Sequence, residues 1–233
     1  MSQKVAIVTA AGSGMGKAIA EKMHAEGYKL LLMSRSESAL KLAKSLGQLG
    51  IKGDITDKRD LSKLVKYGMS EYGRIDALII NTGHPPKGDL EILSDEQWQE
   101  GMDIILMNVV RLIRLVTPIM IKQREGVIIN ISSFAALEPS LDFPISSVMR
   151  SALASYVKLY SQRFAGVGIR MNSVMPGFIN SHDQSKELIK SIPAGRLGKV
   201  EEVAQTVAFL VSDAAAYING QNIAVDGGLS RHL

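Results

Sequence analysis

The chain has 233 residues, of which 46% are hydrophobic and 21% charged, and it contains no cysteine. This composition supplies enough apolar side chains for a sizeable core and excludes a disordered chain, disulfides, thiolate metal sites and a cysteine nucleophile. The net charge of +4 comes from 27 basic and 23 acidic residues that are interspersed rather than gathered into a basic stripe, so no nucleic-acid partner is indicated.

The sequence carries no sign of targeting or membrane insertion. No signal-peptide pattern precedes the first apolar run, and the longest apolar runs look too short to cross a bilayer. We therefore expect a soluble, cytoplasmic protein without a membrane partner.

The first apolar run is followed at once by closely spaced glycines and then by a helical pattern. Residues 5–8 form a run typical of a strand buried on both faces, and Gly12, Gly14 and Gly16 come next. Glycines let the backbone approach a pyrophosphate, and the helix N-terminus offers free N–H groups and a positive dipole end. The spacing differs from the usual dinucleotide fingerprint, so the motif alone is also compatible with glycines that serve only a tight turn.

A basic residue follows the second predicted strand, residues 29–33. In dinucleotide-binding folds an acidic residue here binds the ribose 2′-hydroxyl, whereas arginine suits a 2′-phosphate. The sequence has Ser34, Arg35 and Ser36 at this place. It therefore predicts NADP(H) as the preferred cofactor, with NAD(H) as the alternative; a solvated arginine at a strand end is the other interpretation.

The remaining pattern alternates between strands and helices. Further strands are predicted at residues 51–55, 75–80, 126–133, 169–175 and 222–225. Helices are predicted at residues 38–46, 57–72, 94–122, 146–166 and 200–211, besides the one after the glycines. This alternation predicts a single α/β domain over residues 1–233, with a doubly wound parallel sheet of seven strands. Residues 178–198 are irregular, with one short helix, and look like a lid on the substrate side.

Polar residues end one buried strand and interrupt one apolar helix. Asn81, Thr82 and Gly83 follow the fourth strand, where an open α/β sheet places ligand contacts. Asn108 lies inside the apolar stretch of residues 104–116, which is costly unless its amide is hydrogen-bonded. Asn108 is therefore either a structural bridge or part of a site.

The order of these pieces resembles the short-chain dehydrogenase/reductase family over essentially the whole chain. The motifs that carry the resemblance are Thr9 to Gly16, with Ala10 in place of the family's first glycine, Asp54-Ile55, Asn81-Thr82-Gly83, Pro176-Gly177 and Asp226-Gly227-Gly228. The resemblance implies a three-layer Rossmann fold, a small-molecule substrate, a homo-oligomer and NADP(H)-dependent interconversion of an alcohol with a ketone or aldehyde, including 3-oxoacyl-like compounds.

The resemblance also implies which residues hold the cofactor. Ile179 and Ser181 are placed for the nicotinamide carboxamide and the pyrophosphate, and Asp54-Ile55 for the adenine. The full set, with the residues already singled out, is Thr9, Ala11, Gly12, Ser13, Gly14, Met15, Gly16, Ser34, Arg35, Ser36, Asp54, Ile55, Asn81, Thr82, Gly83, Arg150, Pro176, Gly177, Ile179 and Ser181.

The sequence departs from the family at its catalytic residues, which are Asn, Ser, Tyr and Lys. Asn108 and Ser133 match the first two, but the positions expected for the tyrosine and the lysine hold Ser146 and Arg150. A phenol beside an ammonium has a lowered pKa, whereas serine is a far weaker acid and arginine is a permanent cation that cannot relay protons. These four residues are the candidate catalytic set, and His84 is a candidate replacement for the proton donor.

Two other groups are weaker candidates for the proton donor: His182, at the start of the predicted lid, and Asp142, before the helix that carries Ser146. Arg150 is expected to hold the cofactor ribose or to stabilise charge, and an ion pair with Asp142 at the surface is the alternative.

Three functions stay open at this point. The first is an oxidoreductase with an altered proton donor, and the second is a catalytically impaired cofactor-binding protein that acts as a regulator or scaffold. The third is a lyase or isomerase on the same scaffold, which the intact cofactor motifs disfavour. The apolar stretches at residues 109–116 and 152–157, together with the resemblance, predict a homo-oligomer, with a tetramer expected.

Overall fold

Seven parallel strands form one sheet in the computed structural model, which describes residues 3–181 and 184–231. The strands are β1 (Val5–Thr9), β2 (Lys29–Ser34), β3 (Leu49–Lys52), β4 (Ala77–Ile80), β5 (Gly126–Ile131), β6 (Ile169–Pro176) and β7 (Asn222–Val225). Their order across the sheet is β3-β2-β1-β4-β5-β6-β7. The chain winds outward from β1 in one direction and then from β4 in the other, which confirms the predicted doubly wound sheet.

Helices cover both faces of this sheet. They are α1 (Gly14–Ala25), α2 (Ser38–Ser45), α3 (Lys58–Tyr72), α4 (Asp95–Met102), α5 (Asn108–Gln123), α6 (Pro144–Phe164), α7 (Lys186–Ser191) and α8 (Val200–Val211). Successive strand residues enter opposite layers: Ala6 and Val8 pack with α1, α2 and α8, whereas Ile7 packs with α3, α5 and α6. Both layers need apolar side chains, which explains the unbroken apolar runs and confirms the three-layer, single-domain fold.

Two strands end earlier than the sequence pattern predicts. β3 stops at Lys52, and Asp54 lies in a loop because its carboxylate accepts hydrogen bonds from the amide and the hydroxyl of Thr56, both at 2.8 Å. β5 stops at Ile131, and Ser133 instead begins a short 3₁₀ turn, where its Oγ accepts a hydrogen bond from the Ala135 amide at 3.3 Å. In both places a side chain caps the next turn and takes the backbone out of the sheet.

A π-helical turn, Asp103–Met107, joins α4 and α5 into one continuous helical segment, Asp95–Gln123. This segment has 29 residues and, within the described residues, is the one helix long and apolar enough to cross a membrane. By length and composition alone, this segment contradicts the expectation that every apolar run is too short to cross a bilayer. Half of the most apolar part of the segment is nevertheless buried inside the protein, as in the core helix of a folded domain.

Candidate active site

The order of the sheet reverses between β1 and β4, and the carboxyl ends of these strands open the crevice where open α/β sheets bind ligands. Thr9 and Asn81 tie the two ends together. The Thr9 hydroxyl donates to the Asn81 carbonyl at 2.7 Å, and the Asn81 amide N–H donates to the Thr9 hydroxyl oxygen at 3.0 Å. The Asn81 side chain is buried and donates to the Ala10 carbonyl at 3.3 Å, so it braces the glycine loop from below.

Two glycines of the glycine loop, residues 10–16, have no room for a side chain. A Cβ on Gly16 would overlap the Ala10 carbonyl oxygen, and a Cβ on Gly12 would overlap the Ser38 hydroxyl. Gly14 has φ +50°, and Ala10 has φ 46°, in the left-handed region that disfavours a residue with a Cβ. The alanine that replaces the family's first glycine therefore sits in a conformation that costs it about 1–2 kcal/mol.

The N-terminus of α1 is open toward the crevice. Ser13 is the N-cap, but its side chain makes no capping hydrogen bond, and the first turn contains no acidic residue. The first N–H groups and the positive end of the helix dipole thus stay available for an anion. A Cβ on Gly14 would lie 3.4 Å from the Ser181 Cβ, so Ser181 closes this cradle from the other side. The arrangement fits a pyrophosphate.

Two other predicted cofactor residues of this loop face the protein. Ala11 is fully buried, and its amide donates to the Met33 carbonyl at 3.1 Å, which anchors the loop on β2. Met15 is partly buried and packs against the core layer that contains α1. Because these two side chains pack into the protein, a ligand at this loop would contact backbone groups.

A cluster of hydroxyls follows β2 beside the glycine loop. The Ser34 hydroxyl donates to the Ser36 carbonyl at 2.8 Å, and the Ser36 and Ser38 hydroxyls lie 2.7 Å apart. Arg35 projects from this turn, is exposed, and forms no ion pair with any described residue. Because Ser38 also abuts Gly12, the free guanidinium and the phosphate cradle belong to one end of the crevice.

The other predicted contacts line the same edge of the sheet. Ile55 is buried behind Asp54, and the Thr82 hydroxyl donates to the carbonyl of the exposed Gly83 at 3.1 Å. Pro176 ends β6, and the Gly177 amide donates to the Val225 carbonyl at 3.1 Å. A Cβ on Gly177 would lie 2.8 Å from the Asp226 Cα, so glycine is needed where β6 and β7 separate.

The segment predicted as a lid is held at both ends. Ile179 is buried and forms an isolated parallel bridge with Gly198. The ring of Phe178 packs against that of Phe134, with centroids 5.3 Å apart, and so links the segment to the turn after β5. α7 is its one short helix, as predicted.

Arg150 points into the protein rather than toward the surface. Its side chain is 6% exposed; Nε donates to the Ser146 hydroxyl oxygen at 3.0 Å, and Nη1 donates to the Ile131 carbonyl at 3.2 Å. Burial lowers the pKa of the guanidinium to about 10, so it remains a cation at neutral pH. An ion pair with Asp142 is wrong as an alternative, because that carboxylate is exposed and accepts from the Ser140 hydroxyl at 3.4 Å.

Hydrogen bonds attach the helix that carries Ser146 to the turn that carries Ser133. Besides the contact between Arg150 and Ile131, the Ser151 hydroxyl on α6 donates to the Ala136 carbonyl at 2.7 Å. Ser133 and Ser146 are both partly exposed, whereas Arg150 is buried behind them. Ser133 and Ser146 are therefore more accessible than Arg150.

Asn108 begins α5 directly after the π-helical turn and is fully buried. Its side-chain amide donates to the Ile104 carbonyl, inside that turn, whereas its Oδ1 has no hydrogen-bond donor among the described residues. A buried amide oxygen without a donor is costly, which makes it a candidate acceptor for a water or a ligand hydroxyl. The sequence pattern indicates Asn108 as a candidate site residue, but it does not predict the π-helical turn that precedes it.

His84 is exposed in the loop that follows β4. A Cβ on Gly101 would overlap the Ile145 side chain and lie 3.6 Å from Pro85, and Lys87 Nζ lies 5.2 Å from the centroid of the Phe143 ring. This loop therefore borders the helix that carries Ser146. His182 lies outside the described residues.

The two tyrosines of α6 pack in the core layer that contains α3 and α5. On α6, the Tyr160 hydroxyl is buried in a hydrogen bond of 2.8 Å with the Thr117 hydroxyl, and burial raises its pKa to about 12. Tyr156 is partly buried and stacks on Tyr160. The other four tyrosines lie before β2, on α3 and after α8, and they are Tyr28, Tyr67, Tyr72 and Tyr217.

A cavity of about 540 Å³ lies at the opposite, amino end of the strands. Lys4 and Glu125 in its wall pair with each other at 2.7 Å, and the Arg170 guanidinium donates to the Leu210 carbonyl at 2.9 Å. These charged side chains form contacts among themselves and with the C-terminal part of α8. They are remote from the crevice between β1 and β4.

Comparisons with known proteins agree with this geometry. The family model described as enoyl-(acyl carrier protein) reductase matches residues 9–230. The 3-oxoacyl-[acyl-carrier-protein] reductase FabG of Escherichia coli (strain K12) is 35% identical over 237 residues, and that of Thermotoga maritima is 34% identical over 239 residues; each alignment covers 97% of both chains.

Two solved structures share the fold over nearly the full chain. YwfH, described as an NADPH dependent reductase involved in bacilysin biosynthesis, has a TM-score of 0.95 and 27% identity, with 100% of both chains covered. The structure of gox2181 has a TM-score of 0.92 and 27% identity, covering 98% of this chain and 96% of the other. The matched family model, the full-length relatives and the glycine cradle at the switch point of the sheet together show that the chain belongs to the short-chain dehydrogenase/reductase family of oxidoreductases.

Proposed function

We propose that this protein is an NADP(H)-dependent oxidoreductase that interconverts a carbonyl and an alcohol on a small molecule, with a proton donor other than tyrosine. The observation that carries the proposal is the glycine cradle at the uncapped N-terminus of α1, with the free Arg35 guanidinium at its edge. The names of the relatives, which are 3-oxoacyl reductases and an NADPH dependent reductase, support a 3-oxoacyl-like substrate and this cofactor. We also propose that it acts in the cytoplasm.

In this proposal the backbone of residues 12–16 holds the pyrophosphate, Arg35 the 2′-phosphate, and Asp54 with Ile55 the adenine. Ile179 faces the nicotinamide carboxamide and Ser181 the pyrophosphate, and the segment of residues 178–198 covers the substrate side. The cofactor, when bound, supplies a hydride. The residues of the single domain position the cofactor and supply the charged groups around it.

In this proposal the hydroxyls of Ser133 and Ser146 donate hydrogen bonds to the oxygen of the substrate carbonyl. Hydroxyl donors stabilise a developing oxyanion, and each is worth about 10²–10³ in rate. The loss of a tyrosine acid costs about 10²–10⁴. His84 is the proposed source of a proton from the loop beside α6, and Asn108 the acceptor for a water behind the site.

The proposed function is tested by measuring NADPH oxidation with a panel of ketones, aldehydes and 3-oxoacyl thioesters between pH 6 and 9, with identification of the products. Calorimetric titration of NADPH is the companion measurement. Tight NADPH binding without turnover on any member of the panel would replace the oxidoreductase with a regulator or scaffold, whereas loss of NADPH binding would remove both proposals.

Arg35→Ala is expected to weaken NADPH binding by at least tenfold and to leave NADH binding within about twofold, because a charge-assisted contact to the 2′-phosphate contributes roughly 1.5–3 kcal/mol. Calorimetry with both cofactors measures this. Lys41→Ala, an exposed cation on α2, is the matched control. Unchanged NADPH affinity in the Arg35 variant would contradict the cofactor assignment.

An exposed apolar stripe on α6 supports the proposed homo-oligomer. Val148 and Leu159 are 52% and 66% exposed and share one helix face with Ala152 and Ser155. A second copy would bury this face, and we propose a tetramer. Leu159→Glu is expected to lower the mass measured by light scattering at micromolar concentration. Ile92→Glu, in an exposed loop, is the control, and a monomeric parent protein would refute the proposal.

A further inference from the structure

The guanidinium of Arg150 lies at the carboxyl end of β5, on the edge of the sheet where open α/β folds bind ligands. Its Nη1 donates to the carbonyl oxygen of Ile131, the last residue of that strand, at 3.2 Å. Its Nε donates to the hydroxyl oxygen of the partly exposed Ser146 at 3.0 Å. These two hydrogen bonds fix the cation beside the Ser146 hydroxyl.

The charge of this guanidinium has no anionic partner in the described part of the chain. Arg150 is buried and takes part in none of the ion pairs between described residues. Burial is the cause that lowers its pKa, and no described charged neighbour contributes to the shift. A buried cation without a partner is costly, so this place favours an anion that a ligand supplies.

The Nη2 group of Arg150 is the donor left for such an anion. It has no hydrogen-bond acceptor among the residues that the structure describes. It is not one of the fully buried unpaired atoms of those residues, which are Asp103 Oδ1, Asn108 Oδ1 and Asn222 Oδ1, so part of its surface is accessible. In the planar guanidinium the Nε–H and one Nη2–H point the same way. An anion on Nη2 would therefore lie next to the Ser146 hydroxyl that Nε holds.

The proposed cofactor does not supply this anion. Its phosphates are assigned to residues 12–16 and to Arg35, which follow β1 and β2, whereas Arg150 lies at the end of β5, on the other side of β4. The nicotinamide itself carries no negative charge in either oxidation state. The remaining source of an anion is the substrate.

We propose that the substrate is an oxo acid, whose free carboxylate pairs with Arg150 while its carbonyl oxygen accepts the Ser146 hydrogen bond. A carboxylate on the carbonyl carbon or on the next carbon, as in 2-oxo and 3-oxo acids, reaches both donors because the donors are neighbours. This inference rests on the proposed function and deepens it by naming the substrate class, and the reduction of the carbonyl to an alcohol is unchanged. Arg150 is in this arrangement the residue that determines specificity.

The first test compares each acid with its methyl ester, pyruvate with methyl pyruvate and acetoacetate with methyl acetoacetate, in NADPH oxidation with identified products. The expected kcat/KM is at least tenfold higher for the acid in one or both pairs, the factor that a hydrogen bond between charged groups contributes. Arg150→Met is expected to bring this ratio to about one, and Arg150→Lys to keep part of it because the charge remains. Arg163→Met, an exposed arginine on the same helix, is the matched control with an unchanged ratio.

The second test needs no turnover. Oxamate carries a carboxylate beside an amide carbonyl that a nicotinamide does not reduce, and oxamide replaces the carboxylate with a neutral group. Calorimetric titration of the protein saturated with NADPH is expected to show at least tenfold tighter binding of oxamate. Arg150→Met, but not Arg163→Met, is expected to remove the difference. Thermal unfolding shows whether each variant is folded.

The outcomes separate the inference from the proposed function. An acid-to-ester ratio near one in both pairs, or a ratio that Arg150→Met leaves unchanged, would overturn the inference and leave the carbonyl reductase standing. Weaker NADPH binding by Arg150→Met at an unchanged ratio would place the guanidinium on the cofactor ribose instead. Loss of NADPH binding or of every reduction by the parent protein would overturn the proposed function itself, and oxamate titration without NADPH would then still show whether Arg150 holds a carboxylate.

Discussion

Ser146→Tyr combined with Arg150→Lys is expected to raise the reduction of acetoacetyl-CoA by about 10²–10⁴, the contribution of a positioned general acid. The phenol would stand at the partly exposed position 146, and the lysine ammonium one helical turn later would lower the phenol pKa. The proton would then be delivered to the alkoxide oxygen, which neither the serine nor the guanidinium can do. Initial rates of NADPH oxidation with identified products measure the gain.

Two single variants separate the contributions. Ser146→Tyr alone keeps the Arg150 charge and is expected to give part of the gain, whereas Arg150→Lys alone provides no acid and is expected to give none. NADPH titration verifies that the cradle is intact. A folded double variant that binds NADPH but reduces acetoacetyl-CoA no faster than the parent would show that position 146 does not face the reacting oxygen.

The layers of the fold could be predicted from the sequence because buried parallel strands demand apolar residues on both faces. α8 and β7 have the predicted bounds, and the Ile7 and Val8 side chains enter opposite layers as the period of a strand requires. The ends of β3 and β5 could not be predicted, because each depends on a side-chain cap, at Asp54 and at Ser133, that forms only once the next turn is in place.

The parts of the candidate site in which backbone geometry dictates the residue type could be predicted from the sequence. The orientation of a long side chain with several possible partners could not. The glycines mark the cradle since a Cβ would not fit at Gly12 or Gly16. Arg150 has two alternatives of similar plausibility, surface or interior, and the choice is made by the Ile131 carbonyl, which is far away in sequence. The π-helical turn before Asn108 has no periodic signature, because its apolar residues fit an α-helix equally well.

Gly16→Val is expected to destabilise the protein by about 3 kcal/mol, at the upper end for an overpacked site, and to weaken NADPH binding by more than tenfold. The new Cβ would overlap the Ala10 carbonyl oxygen and press on the Asn81 side chain, and these are backbone and braced groups that cannot move aside cheaply. A shift of this kind corresponds to a fall in Tm of about 6–12 °C for a chain of this size. Thermal unfolding and calorimetry measure the two effects.

Ala10→Gly, in the same loop, is the matched variant with the opposite sign. It relieves the left-handed strain at Ala10, worth about 1–2 kcal/mol, against about 0.4–1 kcal/mol of added backbone entropy in the unfolded chain. The net result is a stabilisation of about 0.5–1 kcal/mol with the cradle unchanged, so Tm should rise while NADPH affinity stays within about twofold. A lower Tm for Ala10→Gly, or NADPH binding by Gly16→Val with the affinity of the parent protein, would show that the loop can adjust to an added side chain. Close approach of the backbone to the phosphates could then no longer explain why the cradle contains glycines.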